Sequence, residues 1–328
     1  MTLDADRAKT TERVTFGVSL PVENVEFETL KEVSRVCERL GFDSLWCYDH
    51  LFPYDGSNPR KPFFECLTTL AALCMVTEKV RLGSLVLCNS FRNPALVAKM
   101  AAQIDTMSKG RLELGIGGGW FKNEFDAYGY DFHDAAIRLA QLEEGIQVIK
   151  KLWTEDLVTF RGKYYHITNA VNEPKPLQKP HPPIWIGGSL NRILSLVARY
   201  ADGWNLGFYQ SNTPEGFGNK NRTLNTLCQK IGRNPSKIRR SWHGLLVLGK
   251  NENDLSTKTK QYAPLSMGYP PIQATTENCE EEFRKFTAVG VTDFVIRFPD
   301  ALDFDTLEAF AECATSRFGS TGLEVAIG

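Results

Sequence analysis

The chain has 328 residues, and its 38 Lys and Arg nearly balance its 39 Asp and Glu, which leaves a formal net charge of −1. Hydrophobic residues make up 42% and charged residues 23%, which excludes a disordered or collagen-like chain. The near-neutral balance argues against a dedicated nucleic-acid or polybasic membrane binder. Length alone favours two domains, although α/β barrels often exceed that length as one unit.

The chain shows no sign of an oxidising or membrane environment. Its 8 cysteines are scattered, several lie within apolar runs, and no Cys-x-x-Cys pair occurs, so we expect buried free thiols rather than disulfides or a zinc site. Residues 1–12 form a polar tail without the apolar segment of a secretory signal. No apolar run reaches the roughly 18 residues of a membrane span. These features predict a cytoplasmic protein.

Eight runs rich in β-branched and aromatic residues predict strands, and helical patterns lie between them. The strands are predicted at about 14–20, 43–48, 80–87, 111–117, 183–187, 203–206, 241–248 and 292–297. Asn93 and Asp134 are predicted to cap two of the helices. Eight β/α units predict a single (β/α)8 TIM barrel domain over residues 1–328, with a doubly wound open sheet as the alternative.

A glycine separates a helical pattern from the following strand at four places. Glycine beyond a helix end supplies a left-handed cap, so we predict such a cap at each. The four are Gly41, Gly110, Gly203 and Gly290.

Two stretches, 154–182 and 250–276, interrupt the repeat as insertions. The first contains a hairpin-like segment, and the second is polar and is predicted as a loop over the mouth of the barrel.

Asp49 and His50 end the second predicted strand, and the carboxyl ends of strands hold the active site of a barrel. A histidine there can act as an acid or base near neutral pH, and Asp49 can accept a hydrogen bond or bind a ligand ring. A loop-capping Asp beside a structural His is the alternative. The other histidines lack metal-ligand spacing and are predicted to be structural or surface groups. They are His133, His166, His181 and His243.

Two glycine-rich turns follow other predicted strands. The consecutive glycines 117–119 let a ligand approach the backbone closely, although a tight turn would also explain them. Gly187, Gly188 and Ser189 precede a helical pattern and predict a serine N-cap and an anion site at the helix N-terminus, with Arg192 in the first turn. A simple capped turn is the alternative. The chain contains neither a Walker-type loop nor a Gly-x-Ser-x-Gly elbow.

The order and spacing of these motifs resemble the luciferase-like monooxygenase superfamily of flavin and deazaflavin barrels. The matching segments are 41–46 with Asp49 and His50, 81–83 with 91–94, 108–112 with 115–120, and 200–205. Within that superfamily, the chain resembles the branch that uses coenzyme F420, an 8-hydroxy-5-deazaflavin, which includes sugar-phosphate and secondary-alcohol dehydrogenases. The resemblance implies a homodimer, a deazaflavin at the barrel mouth and a cis peptide bond between Leu85 and Val86.

The resemblance also implies roles for individual residues. Asp49 would contact the deazaflavin ring, which Ser84, Leu85 and Val86 would support. The ribityl and phosphate side would be lined by Gly117, Gly118 and Asn123, and the phosphate held by Gly187, Gly188 and Ser189. His50 would polarise or deprotonate a substrate hydroxyl, with Tyr54 and Trp120 in the substrate pocket.

One position departs from the pattern. The sugar-phosphate enzymes place a catalytic Glu where this chain has Trp120, which argues against glucose-6-phosphate as substrate and favours an apolar pocket. Glu124, one turn later, is expected to bind backbone or a neighbouring cation instead.

The leading hypothesis is an F420-dependent oxidoreductase that transfers hydride between the deazaflavin and a small organic substrate. An FMN-dependent monooxygenase using reduced flavin and O2 is the first alternative, because the same barrel and phosphate site accommodate FMN. A non-catalytic flavin-binding barrel is the second. No metal, nucleic-acid or membrane partner is expected.

Overall fold

The computed structural model describes residues 13–54, 58, 60–207, 213–266 and 268–315. Its strands are β1 Thr15–Ser19, β2 Ser44–Cys47, β3 Arg81–Ser84, β4 Leu87–Cys88, β5 Leu112–Gly117, β6 Val158–Arg161, β7 His166–Ala170, β8 Ile184–Gly187, β9 Gly203–Gly207, β10 Arg239–Gly249, β11 Ile272–Thr275 and β12 Asp293–Arg297. Eight of them pair in parallel in the closed order β1, β2, β3, β5, β8, β9, β10, β12 and back to β1. The predicted (β/α)8 barrel is therefore confirmed.

Helices lie between the barrel strands. They are α1 Phe27–Arg39, α2 Cys66–Leu73, α3 Pro94–Met107, α4 Lys122–Tyr128, α5 Ala135–Thr154, α6 Asn191–Tyr200, α7 Pro214–Lys230, α8 Glu252–Tyr262, α9 Cys279–Thr287 and α10 Phe304–Phe310. The predicted caps are confirmed: Asn93 accepts a hydrogen bond from the Ala95 amide, and Asp134 accepts one from the Ile137 amide. Among the described helices, none combines the length and apolar character needed to cross a membrane.

Three of the four predicted glycine caps have the left-handed backbone conformation, with φ of 84° at Gly41, 81° at Gly110 and 99° at Gly290. The prediction is wrong at Gly203, which is the first residue of β9. The reason is steric, because a Cβ atom on Gly203 would lie 2.1 Å from Cε3 of the Trp185 ring. Glycine at position 203 therefore leaves room for the Trp185 ring inside the barrel and does not cap a helix.

The interior at the amino ends of the strands is an ion cluster. Glu113, 1% exposed, accepts hydrogen bonds from Arg81 Nε, from Arg239 Nη1 at 3.1 Å and from Trp185 Nε1 at 2.6 Å. Arg239 also pairs with Asp293. Burial alone would lower the pKa of Arg239, but the charges of Asp293 and Glu113 outweigh it and raise that pKa. The cluster therefore joins β3, β5, β10 and β12 through ion pairs.

Two tryptophans fill the next layer of the barrel. The Trp46 and Trp185 rings meet edge to face with centroids 5.6 Å apart, and both side chains are buried. They fit because glycine faces each ring: a Cβ atom on Gly83 would lie 2.3 Å from the Trp46 ring. This layer separates the ion cluster from the carboxyl ends of the strands.

The two insertions differ in how far their form could be predicted. In 154–182, β6 and β7 pair in an antiparallel hairpin, as predicted. In 250–276, the structure has helix α8 and strand β11 rather than a loop. Strand β10 runs on past the barrel, and its last residues pair in parallel with β11. The apolar residues Ile272 and Ala274 are buried in this pairing, which stabilises β11. The polar composition of the stretch gave no indication of this strand.

All 8 cysteines lie in described segments and are buried, as predicted.

Candidate active site

A cavity of about 530 Å³ opens at the carboxyl ends of the barrel strands. This volume lies within the range of small-molecule sites. Its walls come from the residues that follow β2, β5 and β8, from strands β9 and β10, and from Tyr269 of the 250–276 insertion. The insertion thus reaches the mouth of the barrel, and the predicted carboxyl-end position of the site agrees with the cavity.

His50 and Glu124 form a hydrogen-bonded pair in the cavity wall. His50 follows β2, and Glu124 lies in the first turn of α4. The two meet with 2.9 Å between His50 Nδ1 and Glu124 Oε2, while Glu124 Oε1 accepts a hydrogen bond from the Leu51 amide at 2.6 Å. A carboxylate at Nδ1 favours the tautomer with its proton there, which leaves Nε2 as the basic nitrogen. The arrangement can therefore move a proton at Nε2.

Asp49 lines the same cavity, yet its carboxylate is engaged in an ion pair. Oδ1 accepts a hydrogen bond from Arg92 Nη2 at 2.7 Å, and Oδ2 accepts from Arg92 Nη1 at 2.9 Å and from the Cys88 amide at 2.7 Å. Arg92 also bonds Glu65. Burial alone would lower the pKa of Arg92, but hydrogen bonding and charge from Asp49 outweigh it and raise that pKa. Asp49 thus anchors the segment 85–88 to the end of β2.

The segment 85–88 and three glycines form one side of the cavity, which we call the glycine wall and define as Gly117, Gly118, Gly187 and Val86. The peptide bond between Leu85 and Val86 is cis, as the resemblance implied. A Cβ atom on Gly117 would lie 2.9 Å from Val86 Cγ2, and one on Gly187 would lie 3.1 Å from it. Glycine at these two positions therefore leaves room for the Val86 side chain, which packs directly on their backbone at the cavity wall.

Three residues expected at the cofactor do not line the cavity. The Ser84 hydroxyl exchanges hydrogen bonds with the backbone of Gly115, so it joins β3 to β5. Asn123 lies exposed on α4. Gly188 is buried, with its amide bonded to the Asn205 carbonyl and its carbonyl to Trp204 Nε1. A strand-end motif does not specify which of its side chains turn inward.

Ser189 lines the cavity but does not cap the following helix, so the predicted serine N-cap is wrong. Helix α6 begins at Asn191, and its N-cap residue, Leu190, makes no side-chain cap hydrogen bond. The helix starts one residue later than the motif indicated. The glycine wall therefore has a helix N-terminus beside it whose amides no side-chain cap satisfies.

Aromatic rings surround His50 in the cavity wall. We call this region the aromatic end and define it as Tyr54, Trp120 and Phe121, whose ring centroids lie 4.2, 5.8 and 6.2 Å from that of His50. Trp120 is 56% exposed, and its ring stands at the mouth of the cavity. The structure thus brings the predicted pocket residues Tyr54 and Trp120 together at His50.

Two further cavity residues were missed. His243 in β10 was predicted to be structural or at the surface, but it lines the cavity with its Nε2 3.4 Å from the Tyr48 hydroxyl. The sequence contained a signal for this role, because His243 lies in the middle of an apolar strand. It follows Ser241 by two residues, and this spacing places both side chains on the same face of the strand. Arg138 of α5 also lines the cavity, where its Nε donates to the Gly118 carbonyl at 3.2 Å.

Burial of His243 predicts a pH-dependent stability. Burial, aided by the charge of Arg297, lowers the pKa of His243 from 6.5 to about 3. The unfolded chain therefore binds a proton below pH 6.5 that the folded chain excludes, so stability is lost as the pH falls from 6.5 towards 3. We expect wild-type protein to lose about 2 kcal/mol more than His243→Phe between pH 7.5 and 5, measured by urea unfolding at both pH values. His166→Phe, at an exposed position of β7, is the control and should follow the wild type. Parallel losses in wild type and His243→Phe would contradict the assignment.

Comparison with known proteins places the chain among relatives with two cofactors. A model of the luciferase-like monooxygenase family matches residues 14–293. The chain is 33% identical over 187 residues to an FMNH2-dependent dimethylsulfone monooxygenase from Pseudomonas putida, covering 57% of this chain and 49% of that protein. It is 34% identical over 189 residues to an F420-dependent glucose-6-phosphate dehydrogenase from Amycolatopsis mediterranei, covering 57% and 56%. The chain thus spans about half the length of these relatives.

Solved structures share the fold over most of the chain. An F420-dependent secondary alcohol dehydrogenase bound to an F420–acetone adduct superposes with a TM-score of 0.80 at 20% identity, covering 93% of this chain and 99% of that one. The EDTA monooxygenase of Chelativorans sp. BNC1 also has a TM-score of 0.80, at 14% identity and 95% coverage of both chains. With the family match over most of its length, the chain belongs to the luciferase-like monooxygenase family.

Proposed function

We propose that this protein is an F420-dependent oxidoreductase that transfers hydride between the deazaflavin and a small organic substrate. The observation that carries the proposal is the His50–Glu124 pair, which lies in a cavity with a glycine wall and an aromatic end. A hydroxyl that loses hydride must also lose its proton, so such a reaction needs a base at the substrate oxygen. Relatives named as F420-dependent dehydrogenases support the same cofactor.

The residues of the cavity fit a flat, anionic cofactor. The glycine wall offers the backbone of its three glycines and the Val86 side chain as a surface against which a planar ring would lie. Ser189 and the N-terminus of α6 adjoin this wall and would hold a phosphate. Arg138 adds positive charge on the same side through its contact with Gly118. Coenzyme F420, when bound, supplies the hydride acceptor or donor at its ring.

The protein's own groups would then handle the proton. Glu124 holds the His50 ring by Nδ1, so that Nε2 can accept a proton from a substrate hydroxyl or return one to a carbonyl. The aromatic end excludes water from His50, which is only 14% exposed as a side chain. Asp49, bound to Arg92 and to the Cys88 amide, holds the segment 85–88 in the cavity wall rather than taking part in proton transfer.

The cavity favours a substrate without a phosphate group. Among the described residues that line it, Arg138 carries the single Lys or Arg side chain, and its guanidinium bonds Gly118 and His133 and covers the Phe132 ring. Trp120 stands where the sugar-phosphate dehydrogenases are expected to have an acid. A sugar phosphate would need cationic partners at the aromatic end.

The alternative is an FMN-dependent monooxygenase that uses reduced flavin and O2. The relative from Pseudomonas putida, named as FMNH2-dependent, supports this reading at an identity similar to that of the F420 enzymes. The glycine wall would accept either ring. The His50–Glu124 base favours hydride transfer, because that reaction requires deprotonation of the substrate oxygen.

Cofactor binding tests the proposal directly. Purified protein is titrated with oxidised F420, reduced F420 and FMN while absorbance and fluorescence are followed, and oxygen consumption is measured with reduced FMN. We expect saturable micromolar binding of F420 and its reduction or oxidation with members of a panel of alcohols, aldehydes and ketones. Failure to bind either form of F420 would refute the proposal, and oxygen consumption coupled to substrate loss with reduced FMN would establish the alternative.

A further inference from the structure

We propose that Tyr48 and His243 form a second polar pair in the cavity that binds an uncharged oxygen of the substrate, such as a carbonyl or hydroxyl group. The inference rests on the proposed function, because it concerns the substrate of the same cavity. Both residues line the cavity, and both belong to the barrel: Tyr48 directly follows β2 and His243 lies in β10.

The geometry of the pair suits an inserted ligand. The Tyr48 hydroxyl lies 3.4 Å from His243 Nε2, which is longer than the 2.7–3.2 Å of a strong hydrogen bond. Their ring centroids are 5.8 Å apart, and the Tyr48 ring lies 6.2 Å from Tyr54 of the aromatic end. A substrate oxygen can therefore approach the hydroxyl and the imidazole from the same cavity that His50 faces.

The strand next to β10 makes room for the imidazole. Gly207 of β9 is the register partner of His243, and a Cβ atom there would lie 2.6 Å from His243 Nδ1. Gly207 itself lines the cavity. Glycine at position 207 therefore leaves the space that the His243 imidazole occupies in the cavity wall.

The pair is uncharged at neutral pH, which sets the class of ligand. Burial lowers the pKa of His243 to about 3 and raises the pKa of the Tyr48 phenol. Among charged groups, Arg297 has the largest effect on the pKa values of both residues, and it pairs with Glu23 at 3.1 Å. Neutral donors and acceptors in a buried wall stabilise a neutral oxygen, whereas an anion there would lose its hydration, and the nearby Arg297 charge is already paired with Glu23.

The test is ligand binding without turnover, so that it does not depend on the cofactor. The full-length protein is labelled with 15N-histidine and titrated by NMR with cyclohexanone, which carries a neutral carbonyl, and with cyclohexanecarboxylate, which is an anion of similar shape. We expect cyclohexanone to shift the imidazole resonances of His243 and to bind more tightly than the carboxylate. Tyr48→Phe and His243→Phe should each weaken cyclohexanone binding about fivefold.

Tyr164→Phe makes the same chemical change in the hairpin between β6 and β7 and should leave cyclohexanone affinity unchanged. If His243→Phe does not fold, cyclohexanone binding by Tyr48→Phe serves as the test, provided that this variant has the melting temperature of the wild type. The inference is overturned if cyclohexanone shows no saturable binding, if the His243 resonances do not move, or if the folded variants bind it as the wild type does. Cyclohexanone binding at His243 in a protein that binds no F420 would refute the proposed function and leave this inference standing.

Discussion

Replacing His50 by asparagine is expected to lower kcat for hydride transfer about 100-fold to 10,000-fold, because general acid–base groups contribute factors of this size. Asparagine has no basic nitrogen to take the place of Nε2, while its small polar side chain is compatible with the position beside Glu124. The measurement is steady-state turnover of F420 with the best substrate from the panel, alongside a binding titration. Cofactor affinity should stay within about threefold, since His50 is not one of the residues of the glycine wall.

The neighbouring variant Glu124→Gln separates the two members of the pair. An amide at this position can accept from Leu51 only by turning its NH2 towards His50 Nδ1, and this favours the tautomer whose Nε2 already carries a proton. We expect kcat for alcohol oxidation to fall about 10-fold or more and the acidic limb of its pH–rate profile, which reports protonation of the base, to change; loss of packing alone would not cause this. Asp126→Asn is the matched control, because Asp126 lies on the same helix in an exposed pair with Lys122. Retention of full turnover by His50→Asn would exclude His50 as the base.

The largest expected effect on stability is at the other end of the barrel. Glu113→Ala should reduce the free energy of unfolding by about 3 kcal/mol, because it removes one carboxylate from between Arg81 and Arg239 and leaves Trp185 Nε1 without its acceptor. This is the low end of the usual range for a broken buried pair, since the two arginine side chains remain 33% and 38% exposed. Urea unfolding monitored by circular dichroism gives the change.

Glu280→Ala on α9 is the control for Glu113→Ala. It removes a carboxylate from an exposed pair with Arg284 four residues later, and such pairs contribute under about 1 kcal/mol. Equal destabilisation by the two variants would show that the ion cluster of the barrel has no special role. Cofactor binding by a folded Glu113 variant should be unchanged, because the tryptophan layer lies between the cluster and the cavity.

The parts of this protein that follow from local sequence could be predicted. Strand positions, the Asn93 and Asp134 caps and the location of His50 at a strand end depend on patterns within a few residues. The pairing of His50 with Glu124 joins positions 74 residues apart, so no local pattern revealed it. Gly203 was misread for the same reason, because the ring that requires glycine there belongs to Trp185, on the adjacent strand.

Composition also misled where tertiary pairing decides the structure. The polar stretch 250–276 contains β11, which forms because the end of β10 offers it an edge. Asp49 was expected to contact a ligand ring, and nothing near it in sequence indicated that Arg92 would engage both of its oxygens. Side-chain direction at the barrel mouth depends on such long-range partners.

The distribution of tryptophan gives this protein a built-in optical probe. Five of the six tryptophans are at most 3% exposed, whereas Trp120 is 56% exposed at the cavity mouth. Iodide in solution collides with an exposed indole far more readily than with a buried one, so the quenchable part of the emission belongs to Trp120. Any ligand that seats against the aromatic end shields that indole, and its occupancy can be read from the native protein without a label or a coupled reaction.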